Sequence, residues 1–351
     1  MLVGIYELKD PNGRDLAVQQ AYEKILAYNG IPSVRLRAER KDFWEQVSGL
    51  SLFIMRFQQV NSDLLQARDI LPIVESAYGV PCYPNMATAW HYDDKVKQYF
   101  LLRANGFPIT ESWVFYDKKS AFEWAETTTY PVVFKLRGGA GSMNVVLVNS
   151  PGRAKQLIKR MFGPGILPEK FRDSGSVRFT HFSLTRELKH TIGNFYRWSK
   201  GLDISPYWEV HKNYALFQKF LPNNSCDTRI TIIGKRAFAF RRLVRDNDFR
   251  ASGSGKIDYS PEKIDIRCVE LAFEVSLKMD FQSMAYDFLI NKEGTPEICE
   301  ISYTYVSQAI YNCPGYWDPD LKWHPGNYWP EHLHLVDSLR RPDLLVPTLK
   351  Y

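Results

Sequence analysis

Met284-Ala-Tyr-Asp-Phe-Leu-Ile-Asn-Lys-Glu-Gly-Thr-Pro-Glu-Ile-Cys-Glu-Ile-Ser302 reads as two strands around a Lys-Glu-Gly turn, each carrying one carboxylate, Asp287 and Glu300, among apolar neighbours. Asp287 lies between Tyr286 and Phe288, and Glu300 between Cys299 and Ile301, so both acids sit where burial without a partner is costly. Two uses of such a pair stand open on this segment alone. One is an ion pair with a neighbouring arginine. The other is Mg²⁺ on a nucleotide, because a hard cation that keeps part of its water shell needs only one or two carboxylates, the rest coming from phosphate oxygens and water.

Upstream, Val132-Val-Phe-Lys-Leu-Arg-Gly-Gly-Ala-Gly-Ser-Met-Asn-Val-Val-Leu-Val148 reads as strand, glycine-rich turn, strand, with Lys135 just before the turn. Gly138, Gly139 and Gly141 let backbone N–H groups come close to phosphate oxygens, and a lysine adds a mobile positive charge beside them. A Walker motif is absent, and a β-branched run rather than a helix follows the loop. A plain hairpin with no ligand explains the same turn.

Taken in order, the motifs resemble the ATP-grasp superfamily, in the branch of ribosomal protein S6 glutamate ligase and glutathione synthetase, over residues 90 to 305. Asp94-Lys95 with Gln98 and Leu101-Leu-Arg-Ala-Asn-Gly-Phe-Pro108 is similar to the family's first nucleotide lysine, its helix and the Gly-x-Pro exit. Tyr130-Pro-Val-Val-Phe-Lys135 is similar to the strand with the second lysine, and Gly138 to Ser142 to the phosphate loop. Leu216-Phe-Gln-Lys-Phe-Leu-Pro222 resembles the hinge that reads adenine, which would place Gln218, Lys219, Phe220 and Leu221 against the nucleotide. Asp227-Thr-Arg229 matches the Asp-x-Arg strand, Arg242 the arginine near the transferred phosphoryl group, and Phe249-Arg250-Ala-Ser252 the position of Phe-Arg-Ser-Asn.

The resemblance implies an α/β fold in which two lobes clasp ATP after an N-terminal α/β domain, with units at 1–90, 91–217 and 218–351. It also implies two Mg²⁺ ions on Asp287 and Glu300. Relatives read Glu-x-Asn where this chain has Glu300-Ile-Ser302, so the third metal position offers a hydroxyl, and the second ion would be held through water or more weakly. Asn247-Asp-Phe-Arg-Ala-Ser-Gly-Ser-Gly255, Glu300-Ile-Ser-Tyr303 and Pro314-Gly-Tyr-Trp-Asp318 are together similar to a subgroup met among surface-polysaccharide assembly proteins.

Composition agrees with a globular enzyme: 351 residues, 45% hydrophobic and 24% charged, are enough for two or three cores. Met1-Leu-Val-Gly-Ile-Tyr-Glu-Leu-Lys9 is too short and too soon charged for a secretory segment, and no stretch approaches the ~20 apolar residues of a membrane span. Five scattered cysteines without C-x-x-C spacing argue against zinc and against a disulfide framework. The expected location is the cytoplasm.

The first ninety residues alternate strand and helix patterns: strands at Leu2–Tyr6, Ser33–Arg37 and Ser51–Phe57, helices at Arg14–Tyr28, near Trp44 and at Ser62–Tyr78. Such alternation means a parallel sheet with helices on its faces. Ligands bind beyond the C-terminal ends of such strands, which points to Glu7, Lys9, Asp10, Arg56 and Gln58. Arg56 is either a bidentate clamp for a substrate carboxylate or a surface arginine.

Residues 151 to 217 hold twelve Lys or Arg against five Asp or Glu, a surplus of seven beside +6 for the whole chain. They interleave with Phe171, Phe179, Phe182, Phe195, Tyr196, Trp198, Tyr207 and Trp208. This is either a surface for an anionic acceptor, such as a nucleotide-linked or lipid-linked sugar, or a solvated basic face over core aromatics. No nucleic-acid motif accompanies the charge. The rings of Tyr316, Trp317, Trp323, Tyr328 and Trp329 either stack a planar acceptor or cap an apolar sheet face.

The expected activity is therefore ATP-dependent ligation of a small carboxylate to an amine through an acyl phosphate, releasing ADP and phosphate, with a sugar or polysaccharide precursor or an amino acid as substrate. In that reading Lys95, Lys135, Gly138, Gly139, Gly141 and Ser142 hold the phosphates, and Arg242, Arg250 and Ser302 serve the chemistry. The alternatives are a kinase acting on a hydroxyl and a nucleotide-binding scaffold without turnover.

Overall fold

The computed structural model describes residues 1–9, 15–139, 145–166, 199, 210–245 and 248–349. Asp10, Gly141, Ser142, Asn247 and almost all of the basic, aromatic segment between 167 and 209 lie outside the described residues.

Three sheets organise the described residues. The first is parallel, in the order β2-β1-β3-β4, from β1 (Val3–Tyr6), β2 (Ser33–Leu36), β3 (Leu52–Ile54) and β4 (Cys82–Tyr83). Helices Ala17–Tyr28, Phe43–Ser48 and Asn61–Ser76 connect its strands, as the alternation requires. Every residue of β1 and β3 is buried, the mark of parallel strands covered on both faces. The short β4 has no sequence signal of its own.

The second sheet is antiparallel, in the order β5-β8-β6-β7, from β5 (Ser112–Phe115), β6 (Val132–Lys135), β7 (Val145–Val148) and β8 (Ala215–Lys219). Helices Lys118–Thr127 and Pro151–Met161 cover one face through Ala121, Ala125, Leu157 and Ile158, all packed with Phe134 and Phe217. Each helix starts on a side-chain cap, Asp117 accepting from Ser120 N–H and Ser150 from Arg153 N–H.

The third sheet runs β13-β12-β9-β10-β14-β15, with β11 (Ile257–Asp258) beside β10. Its strands are β9 (Cys226–Ile233), β10 (Arg236–Leu243), β12 (Ser283–Ile290), β13 (Pro296–Ser302), β14 (Gly315–Trp317) and β15 (Trp323–Pro325). β12 and β13 are the two strands read from Met284 to Ser302, and Gly294 turns between them at φ 77°. Helix Ile266–Lys278 lies across this sheet, burying Val269, Ala272 and Val275 in the same core as Ile230, Ile232 and Tyr286.

The aromatic tail covers the sheet. Tyr316 packs on Phe238, Trp317 meets Trp323 at 4.5 Å, and Trp329 stacks on Tyr311 at 4.1 Å. The final helix, Pro330–Leu339, returns to the first sheet, where Leu335, Val336 and Leu339 share a core with Val3, Ile5, Tyr22 and Ile25. At its centre His334 bonds the Tyr22 hydroxyl through Nδ1 (2.8 Å) and the Tyr305 hydroxyl through Nε2 (2.7 Å). Burial holds this imidazole well below its ordinary pKa, with Arg56 acting in the same direction, so it is neutral. The first sheet is thus joined to the rest of the molecule by its own core and by the last helix.

Leu335 is fully buried at that junction. Leu335→Ala should cost about 2–5 kcal/mol by leaving a cavity, read as a lower urea midpoint; an unchanged midpoint would mean that the final helix does not carry the junction.

Candidate active site

The glycine loop after β6 is tied down by two aspartates that precede a helix. Asp94 caps helix Lys95–Ala104, accepting from the N–H groups of Val96 and Lys97. Asp93 accepts from the Gly139 N–H at 2.8 Å. A Cβ on Gly138 would lie 2.7 Å from Asp93 Oδ2, and Gly139 has φ 107°, so one glycine permits the close approach and the other the backbone conformation.

The same helix start aims Lys95 Nζ at the Gly139 carbonyl (2.7 Å) and at Glu300 (3.1 Å). Burial works to lower the Lys95 pKa, but Glu300 and Asp93 outweigh it, so the amine is held charged above its ordinary range. Lys135 is 6% exposed; among the described residues its Nζ meets Cys299 Sγ at 3.5 Å and pairs with no carboxylate. Burial pushes the Cys299 thiol up, so it faces the lysine as a neutral group. Two ammonium groups and the loop therefore converge on one wall.

The opposite end of this cleft is apolar. β8 leaves its ladder after Lys219, so the backbone at Phe220 and Leu221 turns along the rim without a paired strand. Val133, Val145, Leu221 and Leu289 line the walls, and Phe220 meets Phe249 edge-on at 5.7 Å. Gln218 spans from the second sheet to the third, its Nε2 reaching Ser112 Oγ and the Cys299 carbonyl, both at 3.3 Å. The cleft spans about 990 Å³, the open solvent at its mouth included. A planar ring fits the apolar end and a polyanion the charged end.

The floor is set by strand register. Asp227 stands opposite Arg242 in the β9/β10 pair, and Arg229 opposite Asp287 in the β9/β12 pair. Arg242 grips Asp227 through Nε and Nη2, both at 2.7 Å, and Nη2 also reaches Asp287 Oδ2 at 2.7 Å. Arg229 grips Asp287 bidentately at 2.7 and 2.8 Å. Two arginines and two aspartates form a closed, neutral set. Burial works to raise the Asp287 pKa, but Arg229 and Arg242 outweigh it and hold the carboxyl well below the usual range. Glu300 stands opposite Asp287 across β12/β13, next to a break in register between Asp287 and Phe288. The ion-pair use of Asp287 left open by the sequence is thus present.

Asp287 keeps room for a metal beside its arginines. An ionised carboxylate has about four acceptor positions; Arg229 and Arg242 take three on Asp287, leaving one on Oδ1. Glu300 can exchange Lys95 for a cation. These two residues fit one hard cation completed by phosphate and water. Ser302 adds little to a second: its hydroxyl donates to the Thr304 carbonyl at 2.9 Å. Arg250 lines the other side of the cleft and is gripped by Asp248 through Nε and Nη2.

A second chamber, about 1900 Å³ with the open solvent at its mouth included, opens on the far side of this floor. Ser252, Asp287 and Glu300 belong to the walls of both spaces. Its other walls come from Arg56 and Gln58 after β3, the Gly253-Ser-Gly255 turn, and the segment Ser302–Ile310. Arg242 extends into it, and after Asp227, Asp287 and Ser252 Oγ (3.3 Å) are counted, one Nη1–H is left to donate.

No protein-family model matches the sequence, and no curated protein does. Solved structures match along almost its whole length. N5-carboxyaminoimidazole ribonucleotide synthetase from Thermotoga maritima is 11% identical, with 99% of this chain and 77% of that chain covered at a TM-score of 0.56. N5-carboxyaminoimidazole synthase from Aspergillus clavatus, in complex with ADP and 5-aminoimidazole ribonucleotide, is 12% identical over 99% and 78% at 0.54. D-cycloserine synthetase DcsG is 12% identical over 97% and 99% at 0.53. The chain has the ATP-grasp fold.

Within the ATP-grasp cleft the structure brings together Lys95, Lys135, Gly139, the stretch Gln218–Leu221, Arg250, Asp287 and Glu300. Arg242 and Ser302 face the adjoining chamber, and Gly138 lies beneath the loop against Asp93. Sequence reasoning missed Asp93 as the loop anchor and Asp227 as the partner of Arg242. The spacing Asp227-x-Arg229 carries a usable signal, since alternate strand residues share a face, but nothing local names the strands that will lie on either side.

Because the folded-state pKa of Asp287 is depressed, its stabilising contribution is complete above the pKa of an unfolded aspartate, about 4, and is lost as pH falls toward the folded value. Arg229→Leu should cost about 3–5 kcal/mol at pH 7, with the gap in urea midpoint from the parent narrowing below pH 4. Equal midpoints at pH 7 would contradict this account.

Proposed function

We propose that this protein is an ATP-dependent carboxylate–amine ligase that works through an acyl phosphate. The observation that carries the reading is the shared wall: a polyanion held by Lys95, Lys135 and the Gly139 loop would end at Ser252, Asp287 and Glu300, and a substrate in the larger chamber would meet it there. The apolar rim at Phe220, Leu221 and Leu289 suits adenine. The Aspergillus clavatus neighbour, which holds ADP together with an amine-bearing nucleotide, supports a nucleotide and a second substrate side by side.

A carboxylate oxygen entering from the chamber attacks the γ-phosphorus as the bond to the β-phosphate oxygen breaks, giving an acyl phosphate and ADP. An amine then attacks the acyl carbon, and the tetrahedral intermediate collapses to the amide, releasing phosphate and a proton. Lys135, buried and without a carboxylate partner among the described residues, neutralises phosphate charge. The remaining Nη1–H of Arg242 donates to the transferred group, and Asp227 holds that guanidinium in place. Asp287 and Glu300 would hold magnesium, which supplies charge neutralisation at the β- and γ-phosphates.

The test uses purified protein, Mg-ATP and hydroxylamine as a surrogate amine, with amino acids and sugar acids screened for carboxylate-dependent release of ADP and for hydroxamate. Hydroxamate formation is the expected result; ADP release that is indifferent to every carboxylate would overturn the ligase reading. Glu300→Gln should lower turnover at least about a hundredfold, and Lys135→Met should weaken ATP binding at least about tenfold. Both should leave the circular dichroism spectrum of the parent intact, and near-parental rates in Glu300→Gln would remove the metal assignment.

A further inference from the structure

Arg56 follows β3 at the C-terminal edge of the first sheet and is 6% exposed, so it is not a surface arginine. It is nonetheless without a counter-ion: among the described residues no carboxylate lies within ion-pair distance. Its guanidinium carbon lies 5.3 Å from the Tyr303 ring centre and 5.8 Å from that of Tyr305. One Nη2 contact to the Tyr305 carbonyl is long, at 3.5 Å, and Nε has no partner. A buried charge held only by ring faces and one stretched bond is costly to keep.

Both rings are themselves fixed. The Tyr303 hydroxyl donates to the Phe57 carbonyl at 2.5 Å, and the Tyr305 hydroxyl is bonded to Ser283 Oγ at 2.6 Å and to His334 Nε2 at 2.7 Å. His334, neutral and bonded to Tyr22, cannot serve as a counter-ion. Arg56 belongs to the wall of the second chamber, which also contains the edge at Asp287 and Glu300. The fold therefore holds a desolvated guanidinium, its buried Nε–H without a partner among the described residues, in the wall of a chamber whose other side meets the nucleotide cleft.

We propose that Arg56 is the receptor for a carboxylate on a bifunctional substrate, whose other end reaches the edge at Asp287 and Glu300. Arginine suits this because its planar fork bonds a carboxylate through two N–H groups, and the Arg56 Nε–H is taken by no described residue. The substrate class is then a dicarboxylate, or an amino acid bound by its own carboxylate. This deepens the ligase reading and rests on it for the role of the far end, whereas anion binding at Arg56 stands by itself.

Two measurements separate these dependencies. The first is calorimetric titration of the full chain, without nucleotide, with glutarate, propionate and inorganic phosphate, on the parent, Arg56→Met and Arg56→Lys. Glutarate should bind the parent and lose at least about tenfold in affinity in Arg56→Met, with Arg56→Lys in between because it keeps charge but not the fork. Equal glutarate binding by parent and Arg56→Met overturns the proposal. Phosphate binding that depends on Arg56 while glutarate binding does not overturns the carboxylate assignment. The urea midpoint of Arg56→Met should match or exceed that of the parent, since an unpaired buried charge has been removed; a markedly lower midpoint with unchanged glutarate binding counts against it.

The second measurement is ADP release with a dicarboxylate in the hydroxylamine assay. Arg56→Met should raise the half-saturating dicarboxylate concentration at least about tenfold with a smaller change in maximal rate, the pattern of lost substrate binding. Absence of turnover in the parent with every carboxylate removes the ligase reading but leaves the titration to decide Arg56.

Discussion

The cross-strand set Asp227, Arg229, Arg242 and Asp287 is the constraint on which the rest of the site depends. Three adjacent strands, β10, β9 and β12, deliver these four side chains to one face, and the register places each aspartate directly opposite an arginine. Two charges of each sign are buried, so neither pair can be broken without stranding an ion. Buried ion pairs of this kind add little net stability compared with an apolar core of the same shape, and their value lies in position. Here they orient Asp287 toward the cleft, leave one of its acceptor positions open, and hold the Arg242 guanidinium with a single N–H spare.

Side chains from the second sheet and from the start of helix Lys95–Ala104 reach across to this floor. Lys95 reaches Glu300, Lys135 reaches Cys299, and Gln218 reaches the Cys299 carbonyl, so these three contacts converge on two residues of β13. The loop below β6 is anchored from its own side, by Asp93 on Gly139 and by the Arg137 carbonyl on Lys95 N–H. A nucleotide between the sheets would replace the lysine contacts with phosphate contacts while the Asp93 anchor stays in place. Lys95 and Lys135 thus contact side chains across the cleft, while the loop beside them is anchored by Asp93 and by a backbone bond.

The first sheet stands close to this site because the last helix closes on it. Tyr22, Tyr83, Tyr305 and His334 form one aromatic, hydrogen-bonded block that joins the beginning and end of the chain. That block fixes Tyr305, which borders the second chamber, and so couples the packing of the junction to the shape of that chamber.

Much of this was legible in residue order, because periodicity and turn chemistry act over short distances. Strand–helix alternation in the first ninety residues, the glycine turn after Lys135 and the hairpin from Met284 to Ser302 each follow from neighbours along the chain. The ordered motifs point to the ATP-grasp fold and to Lys95, Lys135, Gln218 and Glu300. Pairing between distant strands is another matter. Whether Asp287 would face a cation or an arginine depended on which strand lay beside β12, and a sequence does not state its own register. Arg56 shows the same limit: its place after a parallel strand was readable, but its burial between two tyrosines some 250 residues later was decided by the tertiary structure alone, since the cost of burying a charge depends on what surrounds it.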